Sequence, residues 1–150
     1  MISKLQQFER SSCSCRQCVS VCTSGKPGCL APGDIDNIAE FIGLDEATES
    51  FIADCFEATL DGPQAPTDEF PSGETYAIRP KVTSSGKCVF YNELHEECLI
   101  HQVKPFECSR VNECDPTSGA AARRALGVAL TESPDQAQLW FWLYNRKAST

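Results

Sequence analysis

The residues of this sequence best suited to chemistry are its cysteines, of which there are ten in 150 residues. Thiolates are soft ligands that bind zinc, copper(I) and iron–sulfur clusters. Four cysteines fall within ten residues, and four more follow far downstream. We predict that the two sets meet in space, and we take all eight as candidate metal and cofactor ligands: Cys13, Cys15, Cys18, Cys22, Cys88, Cys98, Cys108 and Cys114.

The spacing of the first set is Cys-x-Cys-x2-Cys-x3-Cys. Structural zinc sites prefer Cys-x2–4-Cys pairs, but the two such pairs here share Cys18. The run is closer to that of bacterial ferredoxins, differing in the first gap and in Thr23, which stands where they have proline. We therefore favour an iron–sulfur cluster of the four-iron type, with zinc as the alternative. The number of sites, and the cysteines that share each one, stay open.

Disulfides are the competing explanation for many cysteines. Residues 1–8 lack the apolar core of a secretory signal, and no apolar run approaches the length of a membrane span. We therefore expect a cytoplasmic protein without membrane contact, and in that compartment clustered thiols stay reduced and more often bind metal. A disulfide between Cys13 and Cys15, only two residues apart, would also be strained.

The formal charge of −8 is unevenly distributed. Residues 27–78 contain twelve Asp or Glu and no Lys or Arg. Such acidity, without a basic stripe to meet phosphates, argues against nucleic-acid binding. Residues 34–74 are instead a candidate acidic face for a protein partner, while the oligomeric state is left open.

Hydrophobic spacing predicts a mostly helical chain. In residues 34–42 the isoleucines fall on one side of a helix that stops at Gly43. Asp45 is a good N-cap for a second helix, whose apolar residues recur at helical spacing as far as Leu60. Further helices are expected over residues 3–10, over residues 118–131 and from Pro134 onward, and Pro105 is expected to start a helical turn that carries Cys108.

The centre of the chain is expected to be irregular. Residues 61–73 are rich in proline, glycine and acids and predict a loop. Strands are predicted at 75–82, 88–91 and 98–101, and the last two would place Cys88 and Cys98 near opposite ends of one hairpin. We predict one domain, residues 1–150, of the α+β class and mostly α: a small helical domain around an irregular cysteine-rich metal centre with a short β-hairpin.

Three segments together resemble the YkgJ-type cysteine-cluster family, whose members are described as zinc- or iron-chelating domains and sometimes as iron–sulfur oxidoreductases. They are the first cysteine cluster, the segment Gly-Lys-Cys-Val-Phe at 86–90, and Cys-Leu-Ile-His-Gln-Val-Lys-Pro-Phe-Glu-Cys at 98–108. The resemblance runs from Cys13 to Cys114 and implies the same eight cysteines as ligands. It departs from the family's usual pattern at the end of the first cluster, where Val21 precedes Cys22 in place of a paired cysteine.

The remaining chemistry-bearing residues have structural interpretations. Cys55 is predicted to be a small core residue, Cys29 is a spare ligand at most, and His101 is more often an outer hydrogen-bonding or surface group than a ligand. Trp140 is expected in the core, and Trp142 is expected to be the more exposed of the two tryptophans.

Three functional hypotheses follow. The first is an iron–sulfur protein that transfers electrons or senses redox state. The second is a zinc-stapled protein-interaction module, and the third is a metal chaperone or store. There is no phosphate-binding glycine loop, nucleophile elbow or His-Glu-x-x-His, so no catalytic residue is assigned. If the protein is an enzyme, we expect at most an iron–sulfur oxidoreductase component.

Overall fold

The computed structural model describes residues 23, 27–66, 68, 71–100, 103–110 and 116–148. Within these residues the chain forms five helices and two small antiparallel sheets, which confirms the α+β class. In chain order the elements are α1 (Asp34–Phe41), α2 (Glu49–Cys55), β1 (Phe56–Thr59), β2 (Ala77–Pro80), β3 (Tyr91–Asn92), β4 (Glu97–Cys98), α3 (Phe106–Arg110), α4 (Pro116–Glu132) and α5 (Pro134–Ala148). The helix predicted at 3–10 lies outside the described residues.

Helices α1, α4 and α5 confirm the predicted helices at 34–42, 118–131 and from Pro134 onward. The second predicted helix was wrong at both ends. Thr48 is its N-cap in place of Asp45, since its Oγ1 accepts a hydrogen bond of 3.2 Å from the Phe51 amide. The helix ends at Cys55, and residues 56–59 form a strand.

Strand β1 is stabilised by its pairing with strand β2. The two strands are antiparallel, with Glu57 opposite Arg79, and the Glu57 carboxylate meets the Arg79 guanidinium at 3.2 Å. Phe56 and Ala58 face the core from alternate positions, as a half-buried strand requires. Strand β2 lies within the predicted segment 75–82, at the edge of its two-stranded sheet.

The predicted hairpin is present but shorter than expected. Strands β3 and β4 pair antiparallel, with Tyr91 opposite Cys98. Cys88 precedes the hairpin and forms an isolated bridge with Val82, so the strand predicted at 88–91 is wrong except at its last residue. The strand predicted at 98–101 is confirmed only at Cys98, since residues 99–100 form a turn.

The described core has two apolar clusters. The first is centred on β1, β2 and α5 and includes Ile38, Phe56, Ile78 and Trp140. The second joins the loop before α1 to α4 and includes Cys29, Ala77, Phe106, Leu126 and Leu130. Trp140 is buried as predicted, and Trp142 is the more exposed tryptophan. No helix of the described ranges is long and apolar enough to cross a membrane.

Candidate metal centre

The predicted ligands divide into two groups. Cys13, Cys15, Cys18, Cys22 and Cys114 lie outside the described residues, as does His101. The structure places Cys88, Cys98 and Cys108. Among the residues it describes, no three His, Cys, Asp or Glu side chains gather in a group that could hold a metal ion. A four-thiolate site containing any of these three cysteines would therefore need sulfur from the other predicted ligands.

Cys108 lies on the short helix α3, which begins directly after Pro105 as the sequence predicts. The start of this helix is attached to the loop before α1 by Asp34, a buried residue. Its Oδ2 accepts hydrogen bonds from the amide of Phe106 at 2.9 Å and from the amide of Ala31 at 2.8 Å. A single carboxylate therefore satisfies donors from two segments that are distant in sequence, and it fixes α3 against residues 27–33.

The sulfur of Cys108 accepts a hydrogen bond from the backbone amide of Gly28. The distance from Gly28 N to Cys108 Sγ is 3.2 Å, and both groups are buried. Only glycine fits here, because a Cβ on residue 28 would lie 2.5 Å from Cys108 N and 2.7 Å from its Sγ. The absence of a side chain at this position is what lets a peptide N–H approach the sulfur.

Residues Cys29 and Glu107 join the same two segments by two further hydrogen bonds. The amide of Cys29 donates to Glu107 Oε1 at 2.9 Å, and the amide of Glu107 donates to the Cys29 carbonyl at 3.0 Å. The other carboxylate oxygen of Glu107 pairs with Arg123 of α4. Glu107 is buried, and the ion pair with Arg123 supplies the opposite charge that a buried carboxylate requires.

The environment of Cys29 disfavours its thiolate. Burial raises the pKa of the Cys29 thiol strongly, and the neighbouring Glu107 carboxylate raises it further, while Arg123 opposes them. Because metal ligands and nucleophiles are thiolates, a sulfur kept neutral in this way is poorly suited to either role. The position of Cys29 in the second apolar cluster is consistent with a structural residue.

Cys88 and Cys98 lie close together on the first apolar cluster. The Cys88 carbonyl accepts a hydrogen bond of 2.9 Å from the amide of Tyr91, and Tyr91 pairs with Cys98 across the hairpin. Because a turn joins Cys88 to Tyr91 and a strand pair joins Tyr91 to Cys98, the Cα atoms of Cys88 and Cys98 are at most about 12 Å apart. Cys88 is buried and Cys98 is half-buried. Cys55, predicted as a core residue, packs half-buried against the same cluster, where burial raises its pKa.

Sequence reasoning missed three residues around Cys108: Gly28, Glu107 and Arg123. Glu107 had one available signal, since it directly precedes Cys108 in the motif that carries the family resemblance. The Pro-Gly pair at residues 27–28 is a turn signal in the sequence and gives Gly28 no role near Cys108. The pairing of Glu107 with Arg123 of α4 has no local signature, because it depends on how α3 packs against α4.

Comparison with known proteins adds no assignment. No protein-family model, no curated protein and no solved structure matches this chain.

Proposed function

We propose that this chain is a cysteine-ligated metal-binding protein of the YkgJ-type cysteine-cluster kind, which holds an iron–sulfur cluster and transfers electrons or senses redox state. The observation that carries the proposal is the hydrogen bond from the Gly28 amide to Cys108 Sγ. An N–H donor aimed at a sulfur favours its thiolate form, and such bonds to cysteine sulfurs tune iron–sulfur clusters. A cysteine that served only as a small apolar core residue would need no such donor.

Chain connectivity supports the convergence of the two cysteine sets. Cys22 is six residues from Gly28, whose amide bonds the Cys108 sulfur, and Cys114 is six residues from Cys108. Six residues span at most about 21 Å even when fully extended. These sequence separations allow both Cys22 and Cys114 to share a site with Cys108.

An iron–sulfur cluster would supply a redox couple, which zinc cannot, and zinc remains the alternative occupant. In either case the chain's own contribution is to hold Cys108 in a buried position with a fixed amide donor. Weak binding with release to an acceptor would instead indicate a metal chaperone.

Anaerobic purification followed by elemental analysis tests the proposal. We expect a brown protein with broad visible absorbance that contains iron and acid-labile sulfide. A colourless protein with stoichiometric zinc would support the zinc alternative, and transfer of bound metal to an acceptor protein would support the chaperone. A protein that contains none of these metals after anaerobic purification and reconstitution would refute the proposal.

Substitution of single cysteines tests the ligand assignment. We expect Cys18→Ser and Cys108→Ser each to lower the metal content and the Tm, because metal-binding energy is also folding energy in such sites. Cys55→Ser is the matched control, since Cys55 lies outside the cysteine pattern on the apolar cluster. Unchanged metal content in both Cys18→Ser and Cys108→Ser would remove these two residues from the ligand set.

We also propose a protein-docking role for the acidic face, which the end of α1 favours. Three large apolar side chains are exposed there within four residues: Phe41 at 43%, Ile42 at 46% and Leu44 at 37%. They are flanked by exposed acidic residues, and residues 27–78 contain no cation. An apolar patch with an acidic rim suits a partner segment that is both apolar and basic.

The docking role can be tested by capture of partners from cell extract. We expect the double variant Phe41→Ser and Ile42→Ser to lose partners that the wild type retains at low salt. Leu94→Ser is the control, because Leu94 is 84% exposed in the β3–β4 turn, away from α1 in sequence. Equal capture by all three proteins would contradict this role.

A further inference from the structure

The carboxylate of Glu107, the residue before Cys108, is bound at both of its oxygens. One oxygen accepts a hydrogen bond from the Cys29 amide at 2.9 Å, and the other pairs with Arg123. The Glu107 side chain is 9% exposed, whereas that of Arg123 is 40% exposed. A buried carboxylate without its cation is strongly destabilised, so the position of Glu107 depends on Arg123 remaining in place.

The hydrogen bonds of Glu107 set the position of the Gly28–Cys29 peptide. Cys29 is bound to Glu107 at both its amide and its carbonyl, with distances of 2.9 Å and 3.0 Å. The Gly28 amide, one residue earlier, donates to Cys108 Sγ at 3.2 Å. Only the backbone of residue 28 separates the Gly28 nitrogen from the Cys29 nitrogen that Glu107 holds. Holding Cys29 therefore keeps the Gly28 amide within one residue's reach of Glu107 and of the adjacent Cys108, and the φ and ψ angles of Gly28 are the freedom that remains.

We propose that Glu107 and Arg123 are positioning residues for the Cys108 sulfur: their ion pair holds the Gly28–Cys29 backbone so that the Gly28 amide stays on Sγ when Cys108 binds metal. This inference rests on the proposed metal-binding function and assigns residues that support one ligand of that site. Outer-shell partners of metal ligands are worth about 10- to 100-fold in metal affinity. Neither side chain is itself a ligand in this arrangement.

The chain offers a matched control for charge in Arg124. It is the next residue on α4 and is exposed, and it makes no ion pair within the part of the chain that the structure describes. Arg123→Met and Arg124→Met therefore remove the same charge from the same helix, but only Arg123→Met removes the cation from Glu107.

A second control separates positioning from stability. Leu130 is fully buried on the same helix and packs in the second apolar cluster. Leu130→Ala destabilises α4 by loss of packing and leaves the Glu107–Arg123 ion pair intact. Its effect on metal affinity measures how much metal is lost through reduced stability alone.

The experiment challenges the anaerobically purified, metal-loaded chain with EDTA and measures the metal retained by elemental analysis. We expect Arg123→Met and Glu107→Ala to lose metal at about 10- to 100-fold lower EDTA concentration than wild type. Arg123→Lys should recover part of the loss, because it restores the cation. Arg124→Met should match wild type, and Leu130→Ala should lose less metal than Arg123→Met.

Two results would overturn the inference while the proposed function survives. One is wild-type metal retention by both Arg123→Met and Glu107→Ala. The other is that Arg123→Met loses no more metal than Leu130→Ala, when the Tm of Leu130→Ala is equal to or lower than that of Arg123→Met. The metal loss would then follow from reduced stability, and Arg123 would have only a structural role. Absence of metal from the wild type itself would instead refute the proposed function, and this inference with it.

Discussion

Gly28 and Cys108 are 80 residues apart in sequence, yet the Gly28 amide lies 3.2 Å from the Cys108 sulfur. The contact is backbone to side chain, so it depends on the chain path at residue 28 and on the rotamer at residue 108. It places the segment that follows the first cysteine cluster directly against the helix that carries a cysteine of the second. The two hydrogen bonds between Cys29 and Glu107 join the same two segments.

Gly28→Ala tests whether this close approach is needed. The added Cβ would lie 2.5 Å from the Cys108 amide nitrogen, which is backbone and cannot rotate away. We expect the free energy of unfolding to fall by about 1–3 kcal/mol, as for other overpacked sites, and the metal content to fall with it. Urea unfolding and elemental analysis measure the two effects.

Gly33→Ala is the control for this substitution. Gly33 has φ +92°, and no atom beyond Gly33 and its two chain neighbours lies within 4 Å of the point that a Cβ would occupy. Alanine there is therefore strained by its backbone but meets no packed neighbour. It should lower stability by about 1 kcal/mol and leave the metal content unchanged. If Gly28→Ala retains full metal content, the approach of residue 28 to the sulfur has no part in metal binding.

Asp34 supports the start of helix α3 through a buried hydrogen bond from the Phe106 amide. Asp34→Ala would leave the buried amides of Ala31 and Phe106 without their acceptor, at about 1–3 kcal/mol for each. Asp34→Asn keeps an acceptor oxygen and should lose less. The measurement is the urea midpoint at constant m.

Asp36→Ala is the matched control for Asp34, because Asp36 is exposed on the same helix. It should change the free energy of unfolding by no more than about 0.5 kcal/mol, as exposed substitutions usually do. Equal losses for Asp34→Ala and Asp36→Ala would mean that the two buried hydrogen bonds contribute nothing measurable.

The parts of the fold that could be predicted from the sequence are those with local causes. Helix α1 has apolar residues at helical spacing and a glycine stop, and α5 begins at a proline. Strand β1 could not be predicted in this way, because Phe51, Ile52 and Cys55 continue the same spacing into Phe56. The chain leaves the helix there because residues 56–59 pair with β2, some twenty residues later.

The same division holds for the candidate site. The helical turn that carries Cys108 could be predicted, since Pro105 precedes it in sequence. The donor to its sulfur could not, because the Gly28 amide is a backbone group that any residue other than proline carries. Whether the two cysteine sets converge, as the sequence predicts, stays a prediction that the metal analysis tests.

Cys29 predicts a specific loss of stability at alkaline pH. Its folded-state pKa is raised above the ordinary value of 9.0 by burial and by Glu107, while in the unfolded chain it titrates near that value. The folded state therefore holds the proton that the unfolded state releases. The stabilisation is complete below about pH 9 and is lost as the pH rises further, by at most about 1.4 kcal/mol per pH unit.

Other groups also titrate in this range, so the test is a difference between proteins. The stability advantage of wild type over Cys29→Ala, measured by urea unfolding, should shrink as the pH is raised from about 8 to about 10.5. A constant difference across that range would show that Cys29 ionises in the folded protein as readily as in the unfolded chain.

Trp140 links helix α5 to strand β1 by both packing and a hydrogen bond. Its ring is buried and stacks on Tyr144 with centroids 4.8 Å apart, and its Nε1 donates to the Thr59 carbonyl at 3.3 Å. Trp140→Phe removes the donor, leaves the carbonyl of Thr59 without it, and opens a small cavity. We expect a loss of about 1–3 kcal/mol in the free energy of unfolding.

Trp142→Phe separates this effect from the general cost of losing an indole. Trp142 is half-buried, and its described polar neighbour is the Arg146 guanidinium, 4.9 Å from the ring centroid. That exposed cation–π contact is worth about 0.5–1 kcal/mol, so the Trp142 variant should lose clearly less stability than Trp140→Phe. If urea unfolding shows a larger loss for Trp142→Phe than for Trp140→Phe, the contacts of Trp142 stabilise α5 more than the hydrogen bond from Trp140 to Thr59 does.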